Sequence, residues 1–350
     1  MEKFLLILLF SSFVSAQAGT LADTAFSGEI DMALEVMDLP TGERGNSAVR
    51  IPSLFLDVNL PLIAGDAFYI RIEGSEQSET SADRFAMGVR EAHLDLISPF
   101  QSLHVLRVGL LPQPWQEAQY EAYSYRFIGP QGWAITEKWK YLSVSDLGAS
   151  FMSELPRNWG EWALTLTNGA GRAEQENSPH KDAALLLRLK ALQWTLSLNY
   201  LRGHYDQYGS DLALKERIQA LLTYQCADQM MVGIEYLGAR DPADALTALE
   251  MAEGVDVTDL TGQAVRGWAG SLFVVKSTGP KAEVLIRYDY LNPAQGQNNK
   301  ELQTALVALA YKVQPDVRTA LSYDYTQYGK DFAPGKRALS RVQLSAQVQF

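Results

Sequence analysis

The chain has 350 residues, of which 47% are apolar and 20% are charged, and its formal net charge is −11. An acidic chain lacks the basic surface that nucleic-acid binding requires, so we expect no nucleic-acid partner. The single cysteine, Cys226, excludes an intramolecular disulfide framework and a cysteine-cluster metal site. Only four histidines are present, and we expect neither a metal centre nor another cofactor.

The N-terminus has the pattern of a secretory signal peptide. Lys3 gives a basic start, an unbroken apolar run follows from Phe4 to Phe10, and Ala16-Gln17-Ala18 fits a small-residue cleavage site. We expect residues 1–18 to be removed; cleavage after Ala16 is the second possibility. An uncleaved anchor is the alternative, but the apolar stretch is too short to span a bilayer comfortably.

After residue 18 the chain alternates apolar and polar residues over long stretches. Examples are Phe26–Val36, Leu54–Leu60, Ala282–Tyr290 and Val342–Phe350. A period of two places each apolar set on one face of a strand. Globular strands average about five or six residues, whereas a membrane-spanning strand needs about nine to eleven. The pattern predicts an all-β, antiparallel, up-and-down transmembrane barrel; a soluble β-sandwich with shorter strands is the alternative.

The alternation divides the chain into sixteen strands joined by connections that are short and long in turn. Short periplasmic turns and long extracellular loops are typical of outer-membrane barrels. The predicted strands are 26–37, 48–60, 67–76, 84–97, 102–111, 145–155, 161–170, 182–191, 193–203, 213–225, 229–239, 265–276, 281–290, 301–313, 317–327 and 337–350.

Residues 120–128 are the one ambiguous segment, because their composition would also suit a strand. Counting them gives an odd number of strands and moves the long connection 171–181 to the side of the short turns. Leaving them out preserves the alternation of short and long connections. We therefore predict that residues 112–144 form one long loop after the fifth strand, and that residues 19–350 form a single barrel domain.

Aromatic residues cluster at the ends of the predicted strands. Membrane barrels carry such residues as girdles at both membrane interfaces. The strands that run outward in this assignment begin or end with Phe26, Phe68, Trp162, Trp194, Tyr200, Tyr236, Tyr290 and Tyr325.

With these features the sequence resembles a Gram-negative outer-membrane porin. The resemblance rests on the signal peptide, the sixteen strands, the long third loop, its lead-in Val108–Trp115 and the C-terminal strand. It implies a homotrimer in the outer membrane, surrounded by lipid and lipopolysaccharide, with a third loop that narrows the pore. It also implies that the barrel-assembly machinery reads a signal formed by Val342, Leu344, Val348 and Phe350.

Two features depart from the family pattern. Ala346 stands where the terminal signature often has an aromatic residue, and the Pro-Glu-Phe-Gly-Gly run of enterobacterial general porins is absent from 112–144. The second departure matters more, because it removes the direct correspondence between individual constriction residues.

Charged residues of the loop and of the predicted lumen face are the candidate pore residues. Ion preference in a channel comes from charges near its narrowest point. The loop offers Glu117, Glu121, Arg126, Glu137, Lys138 and Lys140, and the wall offers Arg71, Arg107, Arg188, Lys190, Arg287 and Arg341. The resemblance implies that loop carboxylates face wall arginines, and we expect Glu117 and Glu121 to face some of Arg71, Arg107 and Arg188. For any single residue, a solvated lumen charge without a selectivity role is the alternative.

The predicted function is a passive, water-filled diffusion channel for small hydrophilic solutes and ions, and not an enzyme. Lumen-facing acids outnumber bases by twelve to nine in the predicted strands, which predicts a weak cation preference. The alternatives are a scaffold barrel of a trans-envelope complex and, less favoured, a rim hydrolase that uses His93 or His104 with Ser98 or Ser102. The acidic loop 240–264 could hold a divalent cation, but a solvated acidic loop is favoured.

Overall fold

The computed structural model describes residues 24–38, 46–62, 65–76, 85–97, 104–172, 180–205, 214–226, 229–248, 260, 262–297, 300–332 and 338–350. The predicted signal peptide, Ser98, Ser102 and most of the acidic loop, residues 249–259, lie outside these ranges. Within them, no helix is long and apolar enough to cross a membrane.

Sixteen antiparallel strands form one closed barrel in this part of the chain. Each strand pairs with its neighbours in sequence, and β1 pairs with β16 to close the sheet. The strands are β1 (Ala25–Asp38), β2 (Asn46–Pro61), β3 (Ala67–Glu76), β4 (Phe85–Leu96), β5 (His104–Pro112), β6 (Ser145–Glu154), β7 (Gly160–Thr167), β8 (Asp182–Ala191), β9 (Trp194–His204), β10 (Leu214–Cys226), β11 (Met230–Pro242), β12 (Ala264–Ser277), β13 (Ala282–Asn292), β14 (Leu302–Gln314), β15 (Val317–Tyr328) and β16 (Ala338–Gln349). All sixteen predicted strands are confirmed, with every boundary within three residues of its predicted position.

The outer surface of the barrel is apolar along each strand. On β13, for example, Ile286 and Tyr288 are 54% and 44% exposed, whereas the neighbouring Arg287 and Asp289 are buried inside the barrel. Such an exposed apolar band is unfavourable in water but favourable against acyl chains. The barrel wall is therefore suited to lipid outside and water inside.

Aromatic pairs mark the two ends of the barrel. Trp194 and Tyr224 lie 4.6 Å apart, ring centre to ring centre, at the end that carries the chain termini. Trp268 and Tyr290 lie at the same separation near the opposite end. These positions match the girdles expected where a barrel meets the two membrane interfaces.

Connections alternate in length around the barrel, as the sequence predicts. At the end with the chain termini, β8 and β9 are joined by Leu192 and Gln193 alone. At the other end, residues 113–144 form the long connection between β5 and β6. Residues 120–128 are not a strand but the end of a helix followed by a turn of 3₁₀ helix, which agrees with their omission from the strand count.

A β-bulge in β2 reverses which side chains face the lumen. The register with β1 shifts between the pairs Asp31–Ser53 and Ala33–Arg50, next to Pro52. A proline cannot donate to the ladder and is tolerated at bulges. Beyond the bulge Val49 is 70% exposed on the outside, and Arg50 turns inward to the buried Glu35.

A second bulge, in β4, has the same consequence for Arg90. The register of β4 with β3 shifts between the pairs Arg71–Glu91 and Ile72–Val89, which leaves Arg90 as the extra residue in β4. Arg90 is buried in the lumen together with Glu91. Strict alternation places Arg90 on the lipid face, as it does Arg50, so the predicted set of lumen charges is wrong at these two positions.

Candidate functional site

The long connection after β5 folds into the barrel as a lumen loop, residues 113–144. It contains helix α1 (Pro114–Ala122), 3₁₀ turns at Arg126–Ile128 and Pro130–Gly132, and the short helix α2 (Ile135–Lys138). Pro114 opens α1, where its missing N–H would have no helical partner anyway. Gly132 lies so close to the carbonyl oxygen of Tyr125 that a side chain there would collide with it.

Apolar side chains of the lumen loop pack against the inner wall from β7 to β15. Trp115 and Phe127 are 1% and 0% exposed. Their cluster contains the loop residues Trp115, Tyr123, Tyr125, Phe127, Ile128 and Leu142 and the wall residues Leu186, Leu201, Leu221, Phe273, Leu285 and Leu306. Burying one large apolar side chain stabilises by roughly 1.5–3 kcal/mol, so this cluster fixes the loop inside the barrel.

A second apolar cluster holds the far end of the loop. Ile135, Trp139 and Tyr141 pack with Leu237 of β11 and Leu291 of β13. The two clusters give part of the inner wall a core-like, apolar character that a freely hydrated lumen would lack. The lumen loop is therefore a packed part of the barrel and not a segment suspended in the pore.

An ionic cluster ties the opposite side of the loop to the wall formed by β3 and β4. Arg126 Nη2 donates to Glu137 Oε1 at 2.9 Å and to Glu73 Oε1 at 3.2 Å. Arg90 Nη1 donates to the same Glu73 oxygen at 2.8 Å, and the Tyr120 hydroxyl donates to Glu137. These five residues form the loop–wall cluster, in which each arginine touches a carboxylate of the loop or of the wall.

The loop members of this cluster are held in fixed protonation states. Burial of Glu137 opposes its ionisation, but Arg126 and Arg90 outweigh that effect and lower its pKa to about 2. Burial and the nearby Glu137 carboxylate raise the pKa of Tyr120, which keeps its hydroxyl a donor. At neutral pH Glu137 is therefore charged and Tyr120 is not.

A further ionic contact joins α2 to β13. Lys138 Nζ lies 3.1 Å from Asp289 Oδ2, and Arg287 Nε donates to Asp289 Oδ1 at 2.7 Å. The Arg287 guanidinium also lies 4.6 Å from the ring centre of Tyr123. Burial lowers the pKa of Lys138, and Asp289 partly offsets this effect. Charge pairs thus hold the loop on two sides of the lumen.

The helix α1 carries the two carboxylates that the sequence pairs with wall arginines. Arg107 Nη1 donates to Glu117 Oε1 at 3.0 Å, and Arg188 Nη1 donates to Glu121. The two glutamate side chains remain 46% and 59% exposed, so they also face lumen water. The hydrogen bond from Arg188 lowers the pKa of Glu121. Arg71 pairs with the wall instead: its Nε donates to Asp57 Oδ1 at 2.7 Å.

The remaining sequence-predicted pore residues are more dispersed. Arg341 lies between Asp324 and Glu35, with nitrogen–oxygen distances of 2.9 and 3.4 Å. Lys190 lies exposed at the end of β8, and Lys140 lies exposed on the last turn of the loop with a φ of 56°. Neither lysine belongs to the loop–wall cluster.

The C-terminal strand has the outward apolar face that the sequence predicts. Val342 and Leu344 are 47% and 51% exposed, and Val348 continues the same face of β16. Phe350 exchanges two backbone hydrogen bonds with Gly28, of 2.8 and 3.0 Å, where the barrel closes. A side chain at position 28 would collide with the Phe350 ring, so the glycine makes room for the terminal residue.

Sequence reasoning missed two lumen residues beside the loop, Arg90 and Phe55. The guanidinium carbons of Arg71, Arg90 and Arg126 lie 5.3, 5.6 and 4.8 Å from the ring centre of Phe55, which is buried in the lumen. Such stacking favours arginine over lysine. The adjacent charges of Arg90 and Glu91 break the alternation and are the signal that would have revealed the bulge.

The lumen loop leaves two cavities beside it. A cavity of ≈ 500 Å³ lies toward β1–β3 and is lined by several arginines, among them Arg71, Arg90, Arg126 and Arg318. A cavity of ≈ 320 Å³ lies between α1 and the wall formed by β5–β8.

Two histidines of the rim-hydrolase alternative, on β4 and β5, lie in the described ranges, whereas Ser98 and Ser102 lie outside them. His93 faces the lumen, 3.7 Å from Asp95. His104 Nδ1 lies 2.8 Å from Ser153 Oγ on the outer face. No carboxylate in the described ranges contacts His104, and no group of three potential metal ligands occurs among the residues that the structure describes.

Comparison with known proteins rests on structure, because no protein-family model and no curated sequence matches the chain. OmpF of Salmonella typhi, solved with daunomycin, matches with a TM-score of 0.64 and 11% identity over 93% of this chain and 97% of that one. OmpT, an outer-membrane protein of Vibrio cholerae in its trimer form, matches with a TM-score of 0.61 and 14% identity. The match covers 93% of this chain and 99% of OmpT. The anion-selective porin of Comamonas acidovorans matches with a TM-score of 0.62 and 9% identity, over 94% of this chain and 99% of that one. At these identities the likeness establishes the fold, which is that of the sixteen-stranded outer-membrane porins.

Proposed function

We propose that the protein is an outer-membrane porin, a passive and water-filled diffusion channel for small hydrophilic solutes and ions. The observation that carries this proposal is the lumen loop, which is packed inside a closed sixteen-stranded barrel and tied by Glu137 and Lys138 to two sides of the wall. A barrel of this size encloses a lumen wider than side chains alone can fill. A fixed loop then sets the cross-section that a solute meets.

A weak cation preference is part of the proposal. The charges that line the constriction are largely paired, as in Arg107 with Glu117 and Arg188 with Glu121, so their fields cancel at short range. The bulges add Arg50 and Arg90 to the lumen, which offsets part of the acidic excess. A small residual excess of acid spread along the pore acts over a Debye length of about 10 Å at 0.1 M salt.

The surroundings of the barrel are also proposed. The apolar outer face and the aromatic girdles support insertion among outer-membrane lipid and lipopolysaccharide of a Gram-negative cell, after removal of residues 1–18. The outward Val342, Leu344 and Val348, with Phe350, would present the signal for the barrel-assembly machinery. The trimer form of the structurally similar OmpT supports a homotrimer.

Neither alternative function is favoured by a specific contact. A sheath around a trans-envelope partner needs an open lumen, whereas here the loop fills part of it with buried side chains such as Trp115 and Phe127. The rim hydrolase alternative uses Ser98 or Ser102, which lie outside the described ranges; within them, His104 contacts Ser153. The structural likeness to outer-membrane porins supports the proposal that the protein is not an enzyme.

Planar-bilayer recording of the purified, folded protein tests the proposal. We expect stable ohmic current steps in KCl, and liposome swelling with small sugars that slows as solute size increases. A salt gradient across the same bilayer gives the ion preference from the reversal potential. Folded barrels that insert into the bilayer but pass no current would contradict the channel function.

A further inference from the structure

A continuous apolar row crosses the lumen wall beneath α1. Val105 of β5, Met152 of β6, Ala163 of β7 and Leu186 of β8 are successive cross-strand partners on the lumen face. Lumen walls of water-filled barrels are ordinarily polar. These four side chains line the ≈ 320 Å³ cavity, so one wall of that cavity is apolar over four adjacent strands. Ala163 and Leu186 also pack against the lumen loop and are 3% and 5% exposed, which leaves Val105 and Met152 as the more open part of the row.

The opposite face of the same cavity is formed by α1. Pro114 and Ala118 line it and continue the apolar surface across from the wall. Both residues are buried, and Ala118 is only 4% exposed. The cavity is therefore a slot between helix and sheet, open to the lumen and walled by apolar groups on two sides.

Carboxylates surround this slot. Glu117 and Glu121 line it from α1, and Glu154 and Glu161 line it from the next wall row toward the end that carries the chain termini. Glu154 and Glu161 are direct cross-strand partners, a pairing of like charges that destabilises a sheet. Arg188, whose Nη1 lies 3.1 Å from Glu161 Oε1, relieves part of that cost, and a cation beside Glu154 would relieve more of it.

Wall arginines neutralise part of the negative charge of the slot: Arg107 Nη1 donates to Glu117 Oε1 at 3.0 Å, and Arg188 donates to Glu121. An acidic excess remains at Glu154 and Glu161. Arg188 is the one basic side chain that lines the slot, with Nη1 hydrogen-bonded to Glu121 and 3.1 Å from Glu161 Oε1. Glu154 has no ion-pair partner among the described residues. Arg188 is 7% exposed, and its Nε has no hydrogen-bond partner in the described part of the chain.

We propose that this slot is a binding site for small amphipathic organic cations, meaning an ammonium group with an alkyl or aryl body. The body lies on the row of Val105, Met152, Ala163 and Leu186, and the ammonium lies beside Glu154 and Glu161. Apolar walls with a few convergent polar groups are the usual composition of a small-molecule site. The inference rests on the proposed channel function and names a solute class for it.

The second cavity of the lumen has the opposite charge and so separates the two classes of organic ion. Its lining includes Arg71, Arg90, Arg126 and Arg318 against the acids Glu29 and Asp57. An organic anion with the same apolar body is therefore repelled by the slot under α1 and attracted to the other side of the loop. This difference supplies the control for the experiment.

Block of single-channel KCl current by n-alkylammonium ions tests the proposal. We expect each added methylene from ethyl- to hexylammonium to tighten the block about two-fold, since the chain is about half enclosed by the apolar row. Met152→Gln, which conserves volume but makes the row polar, should reduce this chain-length dependence. The double variant Glu154→Gln and Glu161→Gln should weaken hexylammonium block roughly five-fold and leave any block by hexanoate unchanged.

Glu29→Gln is the matched charge control, because Glu29 is a lumen carboxylate that lines the other cavity. It should leave hexylammonium block as it is in the unmodified protein. The inference is overturned if the channel conducts KCl but its block does not depend on chain length. It is also overturned if neither the Met152 variant nor the double glutamate variant changes the block. In both cases the channel function still stands. A folded barrel without KCl current overturns the channel function itself.

Discussion

The guanidinium of Arg90 lies 3.6 Å from the carboxylate of Glu137, measured from Nη2 to Oε1. The first residue belongs to a strand of the barrel wall and the second to the loop inside the lumen, so this contact helps define how much of the lumen the loop leaves open. It exists only because a bulge in β4 turns Arg90 inward. The position of the loop therefore depends on a local irregularity of the wall.

Replacing Glu137 should loosen the loop. Glu137→Gln keeps a hydrogen-bonding group but leaves Arg90 and Arg126 with one carboxylate fewer in a buried setting. Removing one partner of a buried ion pair costs on the order of 3 kcal/mol of unfolding free energy. We expect a lower thermal denaturation midpoint in detergent and noisier open-channel current. Ser124→Ala, at an exposed position of the same loop, should change neither; equal effects of both variants would contradict the role of the cluster.

The lowered pKa of Glu137 determines the pH at which acid should loosen the loop. Because the pKa of Glu137 falls from an ordinary value of 4.5 to about 2, its ionic contacts stabilise the folded loop fully above about pH 4.5. That contribution is lost progressively as the pH falls toward 2. Current noise in the unmodified protein should stay constant from pH 7 to 5 and rise only below about pH 4. A rise centred near pH 6 would show that another group controls the loop.

The apolar anchors of the loop should matter as much as its charges. Phe127 is fully buried between loop and wall, and its replacement by Ala leaves a cavity that costs roughly 3–5 kcal/mol. We expect Phe127→Ala to release part of the loop and to raise single-channel conductance. Leu192→Ala, in a turn where the side chain is 98% exposed, is the control. Unchanged conductance in a folded Phe127→Ala channel would mean that the charges alone hold the loop.

Ion preference should depend on the two carboxylates of α1. In the double variant Glu117→Gln and Glu121→Gln, Arg107 loses its loop partner and Arg188 keeps only Glu161. The reversal potential in a KCl gradient should shift toward anions, and the shift should be larger at low ionic strength because screening is weaker. Glu216→Gln, on the outer surface, should leave the potential unchanged. Strong anion selectivity of the unmodified channel would refute the proposed cation preference.

The orientation of the barrel can be tested with its single cysteine. Cys226 is exposed at the end of β10, on the side of the chain termini, which the porin assignment places in the periplasm. An impermeant thiol reagent added to intact cells should label it poorly. The same reagent should label a variant with Gln263→Cys, an exposed position at the opposite end. Equal labelling at the two sites would mean that the orientation is inverted or mixed.

Much of the barrel could be predicted from the sequence, because lipid outside and water inside impose a period of two on every strand. That constraint acts locally, so it located all sixteen strands and assigned residues 112–144 to a loop. It also identified Glu117 and Glu121 as loop acids and Arg107 and Arg188 as wall bases, although their pairing required the structure. Arg71, by contrast, has wall partners that its position in the sequence does not reveal.

What only the tertiary structure decided depends on contacts between distant parts of the chain. The inward face from β7 to β15 is partly apolar because Trp115, Phe127 and their neighbours cover it, and no strand by itself carries that information. Arg50 and Arg90 face the lumen because an extra residue in each bulge reverses the alternation. Period and turn length are properties of short segments, and they determine the barrel. The shape and charge of the pore follow from how one loop packs against many strands, and they are determined only when the barrel closes.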